Sequence, residues 1–146
     1  IYNCSYLVPD CFEFFSEDLY ISMCGTGDGF SSENYYLSQL PIVKYQTGKI
    51  HYYTFEDNTE SWCDGTKFGI TNWFNGEDVV FDFSKIRKAG SILKTKGGRS
   101  SGPEPLKRSL ELIRGVILNA QGRSLYSDEN TDIVCIEGGK LGKLLN

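Results

Sequence analysis

The chain has a single histidine, His51, and no pair of cysteines in C-x-x-C spacing. A structural zinc site draws its Cys and His ligands from short, recognisable spacings. Cys4, Cys11 and Cys24 match none of them, so no metal is expected. Long hydrophobic runs are missing too. A membrane span needs about 20 apolar residues in succession, and no stretch approaches that, so no membrane partner is expected either. No secretory signal stands ahead of the first strand, and there is no internal repeat, low-complexity tract or linker. The five cysteines (Cys4, Cys11, Cys24, Cys63, Cys135) are odd in number. They read as reduced thiols of a cytoplasmic protein, most of them buried as small hydrophobes. The chain opens on Ile1 rather than Met, which gives the expectation of a piece excised from something longer.

What is present describes a folded unit. The 146 residues are 40% hydrophobic and 14% aromatic, and a chain of this length buries roughly 70% of its unfolded surface. Residues 1–146 are therefore expected to form one unit. The net charge of −4 hides a strong asymmetry: 1–84 carry −10, 85–123 carry +8 and 124–146 carry −2. A basic block inside an acidic protein points to a local anionic ligand. It does not suit a nucleic acid, which an overall pI near 5.0 would repel at long range.

Strand and helix signals alternate along the chain, which defines the α/β class. Tyr2–Val8 reads as a strand bounded by Pro9-Asp10. Phe12, Phe15, Leu19 and Met23 then fall at helical spacing, with Gly25 as the stop. Residues 24–29 form a glycine-rich turn that Phe30-Ser31 leaves in extended form. Ile42-Val43 and Ile50–Phe55 suggest a hairpin around Gly48. Asp57 and Glu60 offer a capping box for a helix holding Trp62, Gly65, Gly69 and Trp73, closed by Asn75-Gly76. Val79–Phe83 has the continuous apolar character of a buried parallel strand. Asp132–Ile136 reads as a short strand or the start of a further helix.

Residues 94–106 carry Lys94, Lys96 and Arg99 with Gly97, Gly98 and Gly102, and run into Pro103 at a helix start. Amides freed by glycine, together with a helix N-terminus, make an anion cradle, and Ser101 or Gly102 is placed to cap. Leu106, Leu110, Ile113 and Ile117 form the apolar stripe of that helix, widened by Val116 and Ala120. Its basic residues fall on the other face, and Gly122 stops it. A flexible surface loop is the plainer reading of the glycine-rich stretch.

Taken in order, the motifs resemble a known family. Tyr2-Asn-Cys4, Cys24-Gly-Thr-Gly27, Gly29-Phe-Ser31, Leu40-Pro41, Glu60-Ser-Trp62 and Trp73-Phe-Asn-Gly76 come first. Phe81-Asp-Phe-Ser-Lys-Ile-Arg87, Gly90, Leu93-Lys94 and Gly97-Gly98 to Ser101-Gly-Pro-Glu-Pro-Leu106 follow. The series, over about residues 1–135, resembles the large catalytic subunit of ribonucleotide reductases, and most of all the adenosylcobalamin-dependent kind. The resemblance implies roughly the first half of a ten-stranded α/β barrel. It implies an activity that converts ribonucleotides to deoxyribonucleotides by thiyl-radical chemistry once a second segment or chain completes the site.

In those terms Cys4 matches one member of the redox cysteine pair beneath the ribose. Asn3, Cys24, Gly25, Thr26 and Gly27 match the nucleotide-facing turn and its neighbour. Gly97, Gly98, Arg99, Ser100, Ser101 and Gly102 match the loop that shapes the nucleotide pocket. The implied partners are a ribonucleoside di- or triphosphate, the remainder of the reductase and a thioredoxin-like reductant. Adenosylcobalamin is implied as cofactor, held mainly by parts outside this chain.

The sequence also departs from the pattern. Asp28 stands where the family has an apolar residue, and a carboxylate there faces either solvent or the substrate's own charge. No second redox cysteine can be assigned, and the radical-bearing cysteine is absent. The resemblance fades after Asp132-Ile-Val134, which leaves 137–146 as a divergent tail. A second expectation follows from these departures: a catalytically inactive half-barrel serving as a nucleotide-binding or assembly module.

Overall fold

Two strand–helix–strand units follow one another, and both are parallel. The computed structural model describes residues 3–94 and 97–125, together with the backbone of two short strands at 136–137 and 140–141. In the first unit, β1 (Cys4–Leu7) leads through α1 (Glu13–Met23) to β2 (Gly27–Phe30), and Cys4 pairs with Gly27 in register. After a single helical turn, α2 (Asn34–Leu37), the second unit runs from β3 (Ile50–Thr54) through α3 (Thr59–Phe74) to β4 (Asp78–Asp82). Helix α4 (Glu104–Asn119) packs on α3, and β5 (Ile136–Glu137) pairs antiparallel with β6 (Lys140–Leu141). Of the expected strand or helix at 132–136, only Ile136 lies among the described residues, as the first residue of β5.

The core belongs to the second unit. Phe55, Ile70, Trp73 and Phe74 are fully buried with Val43, and Leu106, Leu110 and Ile117 of α4 close the cluster. Around them Phe55 stacks on Phe83 at 5.2 Å between ring centres, and Tyr53, Phe68, Phe81 and Trp73 meet mostly edge to face. Helix α3 comes close to its sheet because two of its residues lack a side chain. A Cβ on Gly65 would lie 2.6 Å from Phe55 Cζ and 2.7 Å from Tyr53 Cε1, and one on Gly69 would lie 2.8 Å from Phe81 Cζ. The apolar stripe of α4 buries as its spacing requires, at Leu106, Leu110, Ile117 and Ala120.

Several sequence expectations change in the structure. Strand β3 does not fold back on 42–43; it pairs with β4, which lies beyond α3 in the sequence. Residues 43–49 instead tie helix ends together, with Lys44 N donating to Phe74 O (2.9 Å) and Gly122 N donating to Val43 O (2.7 Å). Asp57 is not the cap of α3. Asn58 is, accepting from Ser61 N at 2.7 Å, while the Ser61 hydroxyl accepts from Glu56 N at 2.8 Å. Asp57 is drawn away by Arg87, whose Nε donates to it at 2.7 Å.

Residues 27–30 are strand rather than turn and exit, because β1 supplies the ladder that their glycines alone would not favour. Strand β4 is parallel as read but is buried on one face only: Val79 is covered and Val80 is exposed. Ser101 makes no cap to α4; Pro103 occupies the N-cap position, and the Ser101 hydroxyl donates to Gly102 O. The thiols also differ from expectation. Cys4, Cys11 and Cys24 are exposed and Cys63 is buried, while Cys135 lies outside the described residues.

Candidate functional site

Alternation along β1 and β2 sorts their side chains into two faces. Ser5, Leu7, Asp28 and Phe30 turn toward α1, where Phe30 meets Phe14 edge to face at 5.7 Å. Cys4, Tyr6, Gly27 and Gly29 share the opposite face, which none of the described helices covers, and all four are exposed. A thiol therefore stands beside a strip without side chains. A Cβ built on Gly27 would meet only Asn3 O at 3.6 Å, and one built on Gly29 would meet nothing within 4 Å. The glycines are not needed for packing, so the room they leave is free for a ligand. The structure brings Asn3, Cys4 and Gly27 together directly, with Gly27 N donating to Asn3 O at 3.0 Å.

The turn of Cys24, Gly25 and Thr26 caps the C-terminal end of α1. Cys24 N donates to Tyr20 O and Ile21 O, Gly25 N to Ser22 O (2.9 Å) and Thr26 N to Ile21 O (3.3 Å), with Gly25 at φ 80°. Three amides are thus consumed by helix carbonyls, at the end where the helix dipole is negative. This turn suits the close approach of a neutral sugar, not a phosphate.

Asp28 is partly open to solvent and points away from the open face. It lies against α1, where the Ser22 hydroxyl donates to its Oδ1 at 3.0 Å and Asp18 is hydrogen-bonded to it. Those bonds hold Asp28 below the usual carboxylate range, with Asp18 the larger influence. Asp18 moves the other way. Burial first, and the bond and charge of Asp28 next, push it up to about 7. Neither Asp18 nor Tyr6 was singled out from the sequence. Tyr6 could have been, since it is two residues from Cys4 on the same face. Asp18 gives no such signal, because a polar residue on a helix reads as solvated.

Gly97 to Gly102 belong to a different neighbourhood. Residues 90–94 and 97–100 form the two arms of a narrow ribbon in which Gly90 N donates to Ser100 O (2.8 Å), Leu93 N to Gly98 O (3.0 Å) and Ser100 N to Ser91 O (2.7 Å). Arg99 donates to Gly90 O at 2.9 Å, and Gly102 N donates to the Ser100 hydroxyl at 3.0 Å. Much of the expected cradle is therefore spent on the ribbon itself. The positive φ angles of Gly97, Gly98 and Gly102 serve its turns, and a Cβ on Gly102 would lie 2.9 Å from Ala89 N. No hydrogen bond or ion pair between described residues links Gly97–Gly102 to the Cys4 cluster.

The basic block has internal partners as well. Lys85 pairs with Glu56 and Arg87 with Asp57, while Arg114 grips Asp78 through Nε (2.9 Å) and Nη2 (2.6 Å). Each pair joins the basic segment to the acidic one, so part of the anion implied by the charge pattern is the protein's own. Among the described residues no group of three or more His, Cys, Asp or Glu side chains is placed to hold a metal ion. None of the described helices is long and apolar enough to cross a membrane.

With this geometry in view, the similarities to known proteins fall into one class. No protein-family model matches the chain. The fold is shared with the crystal structure of a B12-dependent (class II) ribonucleotide reductase, at a TM-score of 0.70 and 23% identity. That match covers 77% of this chain and 21% of the other. The chain thus shares its fold with part of that reductase.

In sequence the chain is similar to one kind of reductase in particular, the adenosylcobalamin-dependent enzymes. The chain is 34% identical over 118 residues to the adenosylcobalamin-dependent ribonucleoside-triphosphate reductase of Euglena gracilis. It is 32% identical over 100 residues to that of Levilactobacillus brevis, and 30% identical over 83 residues to a probable one of Dictyostelium discoideum. These matches cover 80%, 64% and 56% of this chain, but only 16%, 13% and 11% of the relatives. The chain spans about one-sixth of the Euglena protein.

The described residues do not themselves fit a cobalamin. The single histidine gives its Nε2 to Glu77 at 2.5 Å and sets its ring against Phe68. The groove between α1 and α3, about 390 Å³, is open and is rimmed by Glu17, Glu60 and Asp64.

Proposed function

We propose that this chain is a segment of the catalytic barrel of an adenosylcobalamin-dependent ribonucleotide reductase, contributing roughly its first half, with residues 1–146 acting as one unit. One observation carries the reading: an exposed thiol, Cys4, lies in register with Gly27 on a face that none of the described helices covers. The similarity to reductases over most of the chain supports it.

On this reading a ribonucleoside di- or triphosphate lies over Gly27 and Gly29 with its ribose against Cys4. Asn3 and the turn at Cys24, Gly25 and Thr26 bound the sugar, and Gly97 to Gly102 shape the outer wall of the pocket. Cys4 and a second cysteine outside this segment give up two electrons and two protons and become a disulfide. The ribose 2′ hydroxyl leaves as water, and a thioredoxin-like dithiol restores the pair. Only a thiol can both donate hydrogen and store the oxidised product reversibly. The radical-bearing cysteine and the cobalamin site belong to the remainder of the reductase. Exposed reduced thiols suit the cytoplasm.

The alternative of an inactive binding module rested on Asp28 opposing the substrate and on the missing radical-bearing cysteine. Asp28 lies against α1, which removes the first motive, and on the present reading the missing cysteine belongs to the remainder of the barrel. Co-expression with the missing part of the barrel tests the proposal. Cobalamin-dependent deoxynucleotide formation that disappears in Cys4→Ser is the expected result. A complex that assembles and gives no such product, or one whose turnover survives Cys4→Ser, overturns it.

A further inference from the structure

We propose that Asp18 and Asp28 are a one-proton pair whose task is to position the strand that faces Cys4, so that losing the shared proton loosens the nucleotide platform. The functional part of this proposal rests on the reductase reading given above; the pair itself does not.

The geometry carries the argument. Asp28 is the central helix-facing residue of β2, flanked on the other face by Gly27 and Gly29. It is therefore the one side chain through which α1 can hold the middle of that glycine strand. Ser22 and Asp18, one helical turn apart, reach it together. Asp18 Oδ1 is fully buried and has no hydrogen-bond partner. An ionised oxygen left bare in such a place costs far more than the carbonyl of a neutral acid. Two adjacent carboxylates cannot both stay ionised, so one keeps the proton and donates it to the other. Asp18, the half-buried member, is the one that keeps it.

The elements around α1 offer no relief. From β2 the facing group is Asp28 itself, and from β1 it is Ser5 and Leu7. From α3, Lys67 reaches α1 at Glu13, while Glu60, Cys63 and Asp64 line the groove beside Glu17 and Tyr20. When the proton leaves, two adjacent like charges push β2 away from α1. Gly27 and Gly29, with no side chains of their own to anchor them, move with Asp28.

Carbon and amide NMR of this chain between pH 4 and 9 tests the pair without nucleotide or cobalamin. Its failure is therefore distinct from failure of the reductase reading. The Asp18 carboxyl carbon is expected to shift in one step near neutral pH, and the Gly27 and Gly29 amides to shift with the same midpoint. In D18N, where an amide replaces the acid as donor to Asp28, those glycine shifts should flatten. In D28N, whose side-chain oxygen still accepts from Ser22, the Asp18 step should fall by at least one pH unit. The folding equilibrium constant should drop by up to about tenfold per pH unit between roughly pH 4 and 7 in the wild type and lose that slope in D18N. An Asp18 step in the ordinary acidic range overturns the proposal. So do glycine amides that ignore that step, or a slope that survives in both variants.

Discussion

The two strand–helix–strand units share a topology and differ in what they bury. In the second, Phe55, Ile70, Trp73 and Phe74 are sealed, and two glycines on α3 draw the helix onto an aromatic layer. In the first, neither strand has a buried residue, and α1 buries only Phe14. Glycine is used in opposite ways as well. In α3 it admits aromatic rings; in β2 nothing comes nearer than Asn3 O, 3.6 Å from a Cβ on Gly27. The same connection of strands thus serves stability in one place and access in the other.

The sharpest way to break this comparison is to remove matching side chains. Phe55→Ala in the second unit is expected to cost about 3–5 kcal/mol, because the site is sealed and cannot collapse. Tyr6→Ala on the open face of β1, where the ring is 65% exposed, should change stability by less than about 0.5 kcal/mol. Urea denaturation of both measures the contrast. Equal losses would mean that the first unit is not the open one.

A smaller effect tests the tie between segments. Asp78 accepts from Arg114, from Trp73 Nε1 at 3.2 Å and from Val79 N at 2.9 Å. Asp78→Ala should cost about 1–2 kcal/mol, the low end for a charged network because both partners are partly exposed. Arg114 holds the Asp78 carboxyl below its usual range. Its contribution is therefore present above the unfolded carboxylate value near 4 and is lost as pH falls through the folded one. Asp18, raised in the folded state, acts with the opposite sign and weakens the fold as pH climbs toward 7. Denaturation midpoints against pH should fall on the acid side less steeply in Asp78→Ala than in the wild type.

Asn58→Ala should cost about 1 kcal/mol by removing the cap of α3, with Asp57→Ala leaving that cap intact. Loss of the cap's protection in amide exchange at Ser61 would identify the residue responsible. The smallest structural effect belongs to Gly27→Ala. Its new methyl meets only ordinary contact, so stability should stay within about 0.5 kcal/mol. On the proposed reading, turnover of the completed reductase should fall sharply all the same. Full turnover in Gly27→Ala would remove Gly27 from the site.

The three long helices were legible because a 3.6-residue apolar period needs no knowledge of partners, and Gly25, Asn75-Gly76 and Gly122 marked their ends. Strand pairing was not legible. Ile42-Val43 and Ile50–Phe55 look like the two arms of a hairpin until Asp78–Asp82, far along the chain, takes the place beside β3. Gly27–Gly29 reads as part of a turn because glycine disfavours strands, and only the ladder from β1 overrides that preference. Cys4 stood out through the motif series rather than by chemistry, since an isolated cysteine on a strand carries no local signal. Asp18 could not be found from the sequence at all. Its environment is made by Asp28, which is apart from it in the chain and adjacent only in space.

Tyr45 lies outside every strand and helix, yet two glycines answer to it. A Cβ on Gly76 would fall 2.9 Å from the Tyr45 carbonyl carbon, and one on Gly122 would fall 2.7 Å from its ring Cζ. Its main chain is fitted to the end of α3 and its ring to the turn after α4. In evolutionary terms the three positions form a ratchet. Gly76 cannot gain a side chain unless the Tyr45 main chain moves and releases the end of α3, whereas a side chain on Gly122 requires the exposed Tyr45 ring to turn aside. Divergence at this corner has to come through coordinated change, whereas Gly27 and Gly29 are free to vary as far as the fold is concerned and are restrained, if at all, by what binds there.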